Sequence, residues 1–263
     1  MSVYIEGWHY HMQGSGERNV VVIPGLNGRL SFFRNQLPIF SRYFRVLLFE
    51  LPDLPSEMEL KGVGGVEWMA DELDGVMETA GIEKAAVIGE SFGGSLAMAF
   101  ALRHPERVEA LVVISAIQKL REPLAMRAAF QVIRLLFPIR MAWTVLSKVM
   151  FCPDEGIEPR RFFIEQECNV PRSVTWRRWK ELRKVDLEGR LNGIRTPTLI
   201  TAGMKDRLIP SSDSEAIHRQ ILGSRLELFE DAAHLCHLTR PDRFNRLILQ
   251  FLGVDVDVRE ALG

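Results

Sequence analysis

The sequence predicts an α/β fold with a mostly parallel central sheet flanked by helices. Short continuous apolar runs recur along the chain, and helix-like stretches separate them. An uninterrupted apolar run is typical of a strand that is covered on both faces, as in a parallel sheet between two layers of helices. Strands that alternate with helices in this way favour an open sheet.

The chain begins with a predicted β-hairpin and continues with the buried strands. Val3–Glu6 and Trp8–Met12 flank Gly7, and a Gly-Ser-Gly turn follows at residues 14–16. Six later runs are predicted strands, of which the first four are apolar throughout: Val20–Ile23, Val46–Phe49, Ala85–Ile88, Leu111–Ile114, Thr198–Thr201 and Leu226–Phe229.

Three helices are predicted between and after these strands. Glu67–Thr79 has apolar residues at helical spacing, and Gly81 lies just past its end. Ser91–Arg103 is rich in small residues and stops before His104-Pro105, because the residue before a proline is pushed out of the helical region. Pro241–Leu252 has one apolar face and begins with a proline, which is favoured at the first helical position.

One long segment interrupts the alternation. Residues 117–189 contain no convincing strand, but they are too apolar for a disordered linker and too long for a simple connection. We predict a helical cap over residues 117–189 that packs on the C-terminal edge of the sheet, with residues 1–116 and 190–263 forming the core. Its arginines are expected to solvate outer helix faces, with binding of a substrate carboxylate as the alternative: Arg127, Arg134, Arg160, Arg161, Arg177 and Arg178.

Composition excludes several classes of function. The chain has 33 basic and 34 acidic residues, so it lacks the basic footprint of a nucleic-acid-binding protein. Three cysteines without a CxxC pair suggest buried thiols in a reducing compartment. Met1–Glu17 has no secretory pattern, and charges interrupt the apolar region Leu124–Phe151, so we expect no membrane span and a cytoplasmic location. The oligomeric state is left open.

The most specific motif is Gly89-Glu90-Ser91-Phe92-Gly93. It satisfies Gly-x-Ser-x-Gly, follows a predicted strand and opens a predicted helix, which are the two contexts that a nucleophile elbow requires. Side chains at Gly89 and Gly93 would collide with the neighbouring strand and helix. The sequence therefore predicts Ser91 as a nucleophile, whereas a glycine-rich turn capped by a serine is the simpler alternative.

A serine nucleophile needs a base, and the base needs an orienting acid. Asp206 follows the predicted strand Thr198–Thr201, and His234 follows the last predicted strand, so both are expected at the carboxyl edge of the sheet. Their order after Ser91 is the one that this elbow predicts. For Asp206 the alternative is a solvated carboxylate, and His237 is a competitor for the role of base.

With these motifs the chain resembles the α/β-hydrolase superfamily, in the branch of small esterases, lactonases and cofactor-free haloperoxidase-like enzymes with a helical cap. Ile23-Pro24-Gly25-Leu26 is similar to the family's first oxyanion-hole loop, although Pro24 stands where the family usually has His. Ala233-His234 and residues 240–244 are similar to its C-terminal signature, with Ala233 in place of the usual Gly.

The expected function is hydrolysis of a carboxylic ester, lactone or thioester through an acyl-enzyme. His234 would accept the Ser91 proton and Asp206 would hold the imidazole, while the N–H groups of Leu26 and Phe92 form the oxyanion hole. A small-molecule acyl substrate is the expected partner, and no cofactor or metal is expected. A C–C bond hydrolase, lyase or acyltransferase with the same triad, and a ligand-binding protein on a hydrolase scaffold, remain alternatives.

Overall fold

A computed structural model of the protein describes residues 2–5, 8–51, 65–121 and 136–255, together with residues 124, 127, 131 and 132. Within these residues eight strands form one sheet. They are β1 (Ser2–Ile5), β2 (Trp8–Gln13), β3 (Arg18–Ile23), β4 (Phe44–Phe49), β5 (Ala85–Glu90), β6 (Val108–Ile114), β7 (Thr198–Gly203) and β8 (Arg225–Phe229).

The strand order is β1-β2-β4-β3-β5-β6-β7-β8. The pairs β1–β2 and β2–β4 are antiparallel, and all other neighbouring pairs are parallel. The mostly parallel sheet is therefore confirmed, as are the six predicted strands that follow the hairpin, although the last of them, β8, is only partly buried. The N-terminal hairpin is also present, although Glu6 and Gly7, expected at its turn, lie outside the described residues.

Helices cover both faces of the sheet. Successive side chains of each strand point to opposite faces, so each strand contributes to two cores. Val21 and Ile23 lie in one hydrophobic core, and Val20 and Val22 lie in the other. The described helices are α1 (Leu37–Tyr43), α2 (Gly65–Thr79), α3 (Phe92–Arg103), α4 (Ile139–Met150), α5 (Ile157–Cys168), α6 (Arg172–Leu182), α7 (Ser211–Gln220), α8 (Cys236–Thr239) and α9 (Pro241–Phe251). Residues of α2, α3 and α7 contribute to the first core, and residues of α1 and α9 contribute to the second.

Helices α4, α5 and α6 fall within residues 117–189, between β6 and β7. The described part of this segment contains no strand, and only an isolated bridge joins Lys119 to Asp186. The bridge brings the two ends of the segment side by side. We call residues 117–189 the insertion. Its assignment as a separate domain with these bounds stays a prediction. Among the described residues, every helix is too short or too polar to traverse a bilayer.

Candidate active site

Ser91 occupies the sharp turn between β5 and α3. Its φ of 54° lies in the left-handed region that non-glycine residues rarely adopt, and its N–H donates to the Ile114 carbonyl at 2.8 Å. A Cβ atom on Gly89 would lie 2.2 Å from the Gly93 carbonyl oxygen, and one on Gly93 would lie 2.3 Å from that of Ile23. The two glycines are thus required by close backbone approach, as the sequence predicts for a nucleophile elbow.

The side chains of Asp206 and His234 form a buried hydrogen bond with each other. Nδ1 of His234 lies 2.7 Å from Oδ2 of Asp206, and both side chains are fully buried. The other carboxylate oxygen of Asp206 accepts the N–H groups of Leu208 and Ile209 at 2.8 and 2.9 Å. The alternative of a solvated Asp206 is therefore wrong, and the carboxylate is held in one orientation.

His237, the competing histidine, lies in the second core. Its ring stacks on Phe33 with centroids 4.9 Å apart, and neither ring nitrogen has a partner among the described residues. Burial lowers the pKa of His237 to about 3, so the ring is neutral at pH 7. It is not among the side chains that line the cavity described next.

A cavity of about 350 Å³ lies at the carboxyl ends of the strands, and three of the predicted site residues line it, whereas Asp206 and Phe92 are not among its lining residues. Ser91, His234 and Leu26 all contribute to its wall. The insertion supplies much of the apolar part of the wall, including Trp143, Leu146, Met150, Phe163, Trp176 and Trp179. No hydrogen bond joins Ser91 to His234 among the described residues, although the two side chains share this cavity.

The two predicted oxyanion donors are backbone groups: Phe92 directly follows Ser91, and Leu26 lines the same cavity as Ser91. Leu26 is a central residue of a turn closed by the Gly28 N–H and the Gly25 carbonyl at 2.8 Å, so the turn's own bond leaves the Leu26 N–H unused. Phe92 is the first residue of α3, and an N–H in the first turn of a helix has no partner within that helix. Both positions thus have a donor group that their local structure does not consume.

Glu90, the variable residue of the elbow motif, contributes a third buried charge. Its carboxylate lies 3.7 Å from Nε2 of His234 and also receives a hydrogen bond from the Gly25 N–H. Burial raises the pKa of Glu90, against the lowering effect of His234 and Gly25. Burial alone would lower the pKa of His234, but the attraction of Asp206 and Glu90 outweighs it and the pKa is raised.

The insertion places another carboxyl group in the cavity wall. Glu167 of α5 accepts a hydrogen bond from Nδ2 of Asn27, and both side chains are buried. Burial raises the pKa of Glu167 to about 8, and the nearby charge of Glu90 adds to this effect. Arg178 is also buried and donates to the carbonyl oxygens of Leu26 and Leu51. The expectation that Arg178 solvates an outer helix face is therefore wrong.

Three of these residues, Glu90, Asn27 and Glu167, were not predicted from the sequence. An acidic residue at the end of the apolar strand β5, directly before Ser91, is a signal that could have identified Glu90. Asn27 directly follows the predicted donor Leu26. Glu167 has no such signal, because its partner lies 140 residues away in the chain.

Comparisons with known proteins bear on the family and the fold of the chain. A family model described as the alpha/beta hydrolase fold matches residues 18–148. A relative from Escherichia coli O157:H7 (strain EC4115 / EHEC), named "Putative carbamate hydrolase RutD", is 29% identical over 251 residues, covering 92% of this chain and 94% of its own length. The solved structure of a hydrolase from Pseudomonas aeruginosa PA01 has a TM-score of 0.84 at 23% identity and covers 97% of this chain and 98% of its own.

The enol-lactonase from Burkholderia xenovorans LB400 also has a TM-score of 0.84, at 20% identity, with 96% of this chain and 100% of its own covered. Both structural likenesses concern the fold, whereas the family model and the relative match the sequence itself. Together with the sheet order and the turn at Ser91, these findings make the chain a hydrolase of the α/β-hydrolase superfamily.

Proposed function

We propose that this protein is a serine hydrolase that cleaves a carboxylic ester, or a related acyl compound, through an acyl-enzyme. Ser91 is the nucleophile, His234 the general base and Asp206 the residue that orients the imidazole. The observation that carries the proposal is the buried 2.7 Å contact between His234 and Asp206 at the wall of a cavity that Ser91 also lines.

In the proposed reaction, the Ser91 hydroxyl transfers its proton to Nε2 of His234 while Oγ attacks the acyl carbon. The N–H groups of Leu26 and Phe92 stabilise the negative charge that develops on the carbonyl oxygen. Collapse of this intermediate breaks the bond to the leaving group, which takes the proton from His234. Water then attacks the acyl-enzyme with His234 as base again, and this step releases the acid and regenerates Ser91.

The wall of the cavity supports a small, largely apolar substrate. Tryptophan and leucine side chains of the insertion line much of the wall, which favours an uncharged acyl or alcohol group. The insertion acts in this proposal as a cap that shields the acyl-enzyme. Lactones and thioesters share the same acyl chemistry, and the name of the relative adds carbamates to the substrates that deserve a trial.

Labelling with a fluorophosphonate tests the nucleophile. The reagent should modify the wild-type protein at Ser91, and Ser91→Ala should abolish the modification. Ser95→Ala is the matched control, because Ser95 lies one turn further along α3 and its hydroxyl is already bonded to the Ile117 carbonyl at 2.6 Å. Equal labelling of Ser91→Ala and wild type would refute the assignment.

Product analysis separates hydrolysis from the other reactions of the same triad. We expect turnover of 4-nitrophenyl esters with chain lengths from C2 to C12, or of members of a lactone and carbamate panel, well above the rate of Ser91→Ala. A C–C bond hydrolase would instead cleave a vinylogous diketone, and an acyltransferase would favour an added alcohol over water. Turnover at the background rate throughout would favour a ligand-binding protein.

A further inference from the structure

The insertion is hydrogen-bonded to both loops that carry the proposed base and acid. The N–H of His234 donates to the Met150 carbonyl at 3.1 Å, and the N–H of Arg207, directly after Asp206, donates to the Val149 carbonyl at 3.1 Å. Val149 and Met150 are the last two residues of α4. The end of one insertion helix therefore contacts both loops through main-chain bonds.

Glu155, a few residues further along the insertion, adds a side chain to this contact. It is 6% exposed, and its Oε1 accepts the Ala233 N–H at 2.9 Å and the Thr239 hydroxyl at 2.7 Å. Its Oε2 accepts the Cys152 N–H at 2.7 Å. Three hydrogen bonds offset the cost of burying the carboxylate, and one of them comes from the residue directly before His234.

The loop before His234 has little room to relax on its other side. A Cβ atom on Gly203, at the end of β7, would lie 2.1 Å from the Ala233 carbonyl oxygen and 2.4 Å from that of Ala232. The loop is thus held between the end of β7 and Glu155. Loss of the hydrogen bond between the Ala233 N–H and Glu155 would free the loop on the side of Glu155, while its contact with Gly203 stays in place.

We propose that residues 149–155, which we call the clasp, set the positions of His234 and Asp206, and that Glu155, the last residue of the clasp, is the positioning residue. The inference rests on the proposed function, because it concerns the geometry of that reaction. Displacement of a reacting group by about 1 Å can cost about 100-fold in rate, so a small shift of the loop has a measurable effect.

Glu155 also contributes its charge. The charged and titratable groups that act on His234 are its hydrogen-bond partner Asp206, Glu90 in the cavity wall, Glu155 of the clasp and the buried His237. The negative charge of Glu155 raises the pKa of His234, in the same direction as Asp206 and Glu90. Neutralising Glu155 therefore affects both the position of the base and the pH at which it is protonated.

The test is the variant Glu155→Gln, which keeps the size of the side chain. The glutamine amide has only one oxygen to accept the Ala233 N–H, the Thr239 hydroxyl and the Cys152 N–H. Its NH₂ group must therefore face at least one of these donors, and that hydrogen bond is lost. We expect kcat for a turned-over 4-nitrophenyl ester to fall by about tenfold or more with KM little changed. The acidic limb of the pH profile of kcat/KM should move to lower pH.

Ser31→Ala is the matched control. Its hydroxyl donates to Oε1 of Gln166 at 2.7 Å, which is another bond between core and insertion, and neither residue lines the cavity. A purely structural role for Glu155 would lower the melting temperature of both variants and leave kcat and the acidic limb as in wild type. That result would overturn the proposal.

Thr239→Val covers the case in which Glu155→Gln does not fold, since it removes one bond to Oε1 and keeps the carboxylate. A smaller fall in kcat, with the acidic limb unchanged, is expected, and an unchanged kcat would contradict the clasp. Labelling of Ser91 separates the two proposals. If wild-type protein is not labelled, the proposed function fails; if it is labelled and the variants match it in kcat, only the clasp fails.

Discussion

The Glu90 carboxylate and Nε2 of His234 lie 3.7 Å apart, and both groups are buried. Nε2 is the nitrogen that would receive the proton of Ser91, because Nδ1 is bonded to Asp206. An acidic side chain beside this nitrogen favours the imidazolium form. His234 thus has a carboxylate near each ring nitrogen, and its pKa is raised even though burial alone would lower it.

Glu90→Gln should therefore shift the pH profile of hydrolysis. The base must be neutral, so kcat/KM falls as the pH drops through the pKa of His234. Removal of the negative charge lowers that pKa, and the acidic limb should move to lower pH. Steady-state rates at closely spaced pH values measure the shift, with the exposed Glu83→Gln as control. A limb that stays in place would show that the charge of Glu90 does not act on His234.

The oxyanion hole gives a prediction about the backbone at position 26. Leu26→Ala keeps the N–H and should retain most of the activity, whereas Leu26→Pro removes the donor. Loss of one such donor typically lowers kcat by about 10² to 10³. Circular dichroism spectra and melting temperatures of the two variants would show whether both are folded. Equal activity of two folded variants would exclude the Leu26 N–H as an oxyanion donor.

Local features explain why the core and the elbow could be predicted from the sequence. The strands are continuous apolar runs, and Ser91 lies between two glycines whose missing side chains the close-packed turn requires. The environment of the cavity could not be predicted in this way. Arg178 and Glu167 were beyond sequence reasoning, because their partners Leu26 and Asn27 lie about 150 residues away and meet them only in the folded chain.

The cavity should discriminate against anionic acyl groups. Glu90 and Glu167 contribute buried carboxyl groups to a largely apolar wall. Two arginines also line it, but both are exposed: Arg121 is paired with Glu188, and Arg172 donates to the Phe137 carbonyl. Burying an unpaired substrate carboxylate there is costly. We expect kcat/KM for 4-nitrophenyl butanoate to exceed that for 4-nitrophenyl hemisuccinate by about tenfold or more, after correction for the uncatalysed rates of the two esters. A tenfold ratio corresponds to a difference of about 1.4 kcal/mol in transition-state binding.

The discrimination should grow as Glu167 loses its proton. With a pKa of about 8, this carboxyl group is mostly neutral at pH 7 and mostly charged at pH 9. Glu167→Gln should therefore reduce the preference for the neutral ester more at pH 9 than at pH 7. Glu165→Gln, on the exposed side of the same helix, is the control. A preference that is independent of pH in wild type would contradict a role for Glu167.

His237 gives a prediction about acid stability that is independent of catalysis. Its ring has no hydrogen-bond partner among the described residues, and burial lowers its pKa from 6.5 to about 3. The unfolded chain therefore binds a proton at this site below pH 6.5, whereas the folded chain does not. The stability contributed by the neutral ring is fully present above pH 6.5 and is lost, by about 1.4 kcal/mol per pH unit, as the pH falls towards 3.

The variant His237→Phe removes this proton linkage while keeping an aromatic ring against Phe33. Any cost of packing the larger ring is independent of pH, so it shifts the stability of the variant by a constant amount. The difference in the free energy of unfolding, variant minus wild type, should thus rise by about 1.4 kcal/mol for each unit by which the pH falls from 6 to 4. Urea unfolding at pH 7, 6, 5 and 4 measures it. A difference that stays constant over this range would mean that His237 is protonated in the folded protein, and that its ring is less isolated from solvent than its packing indicates.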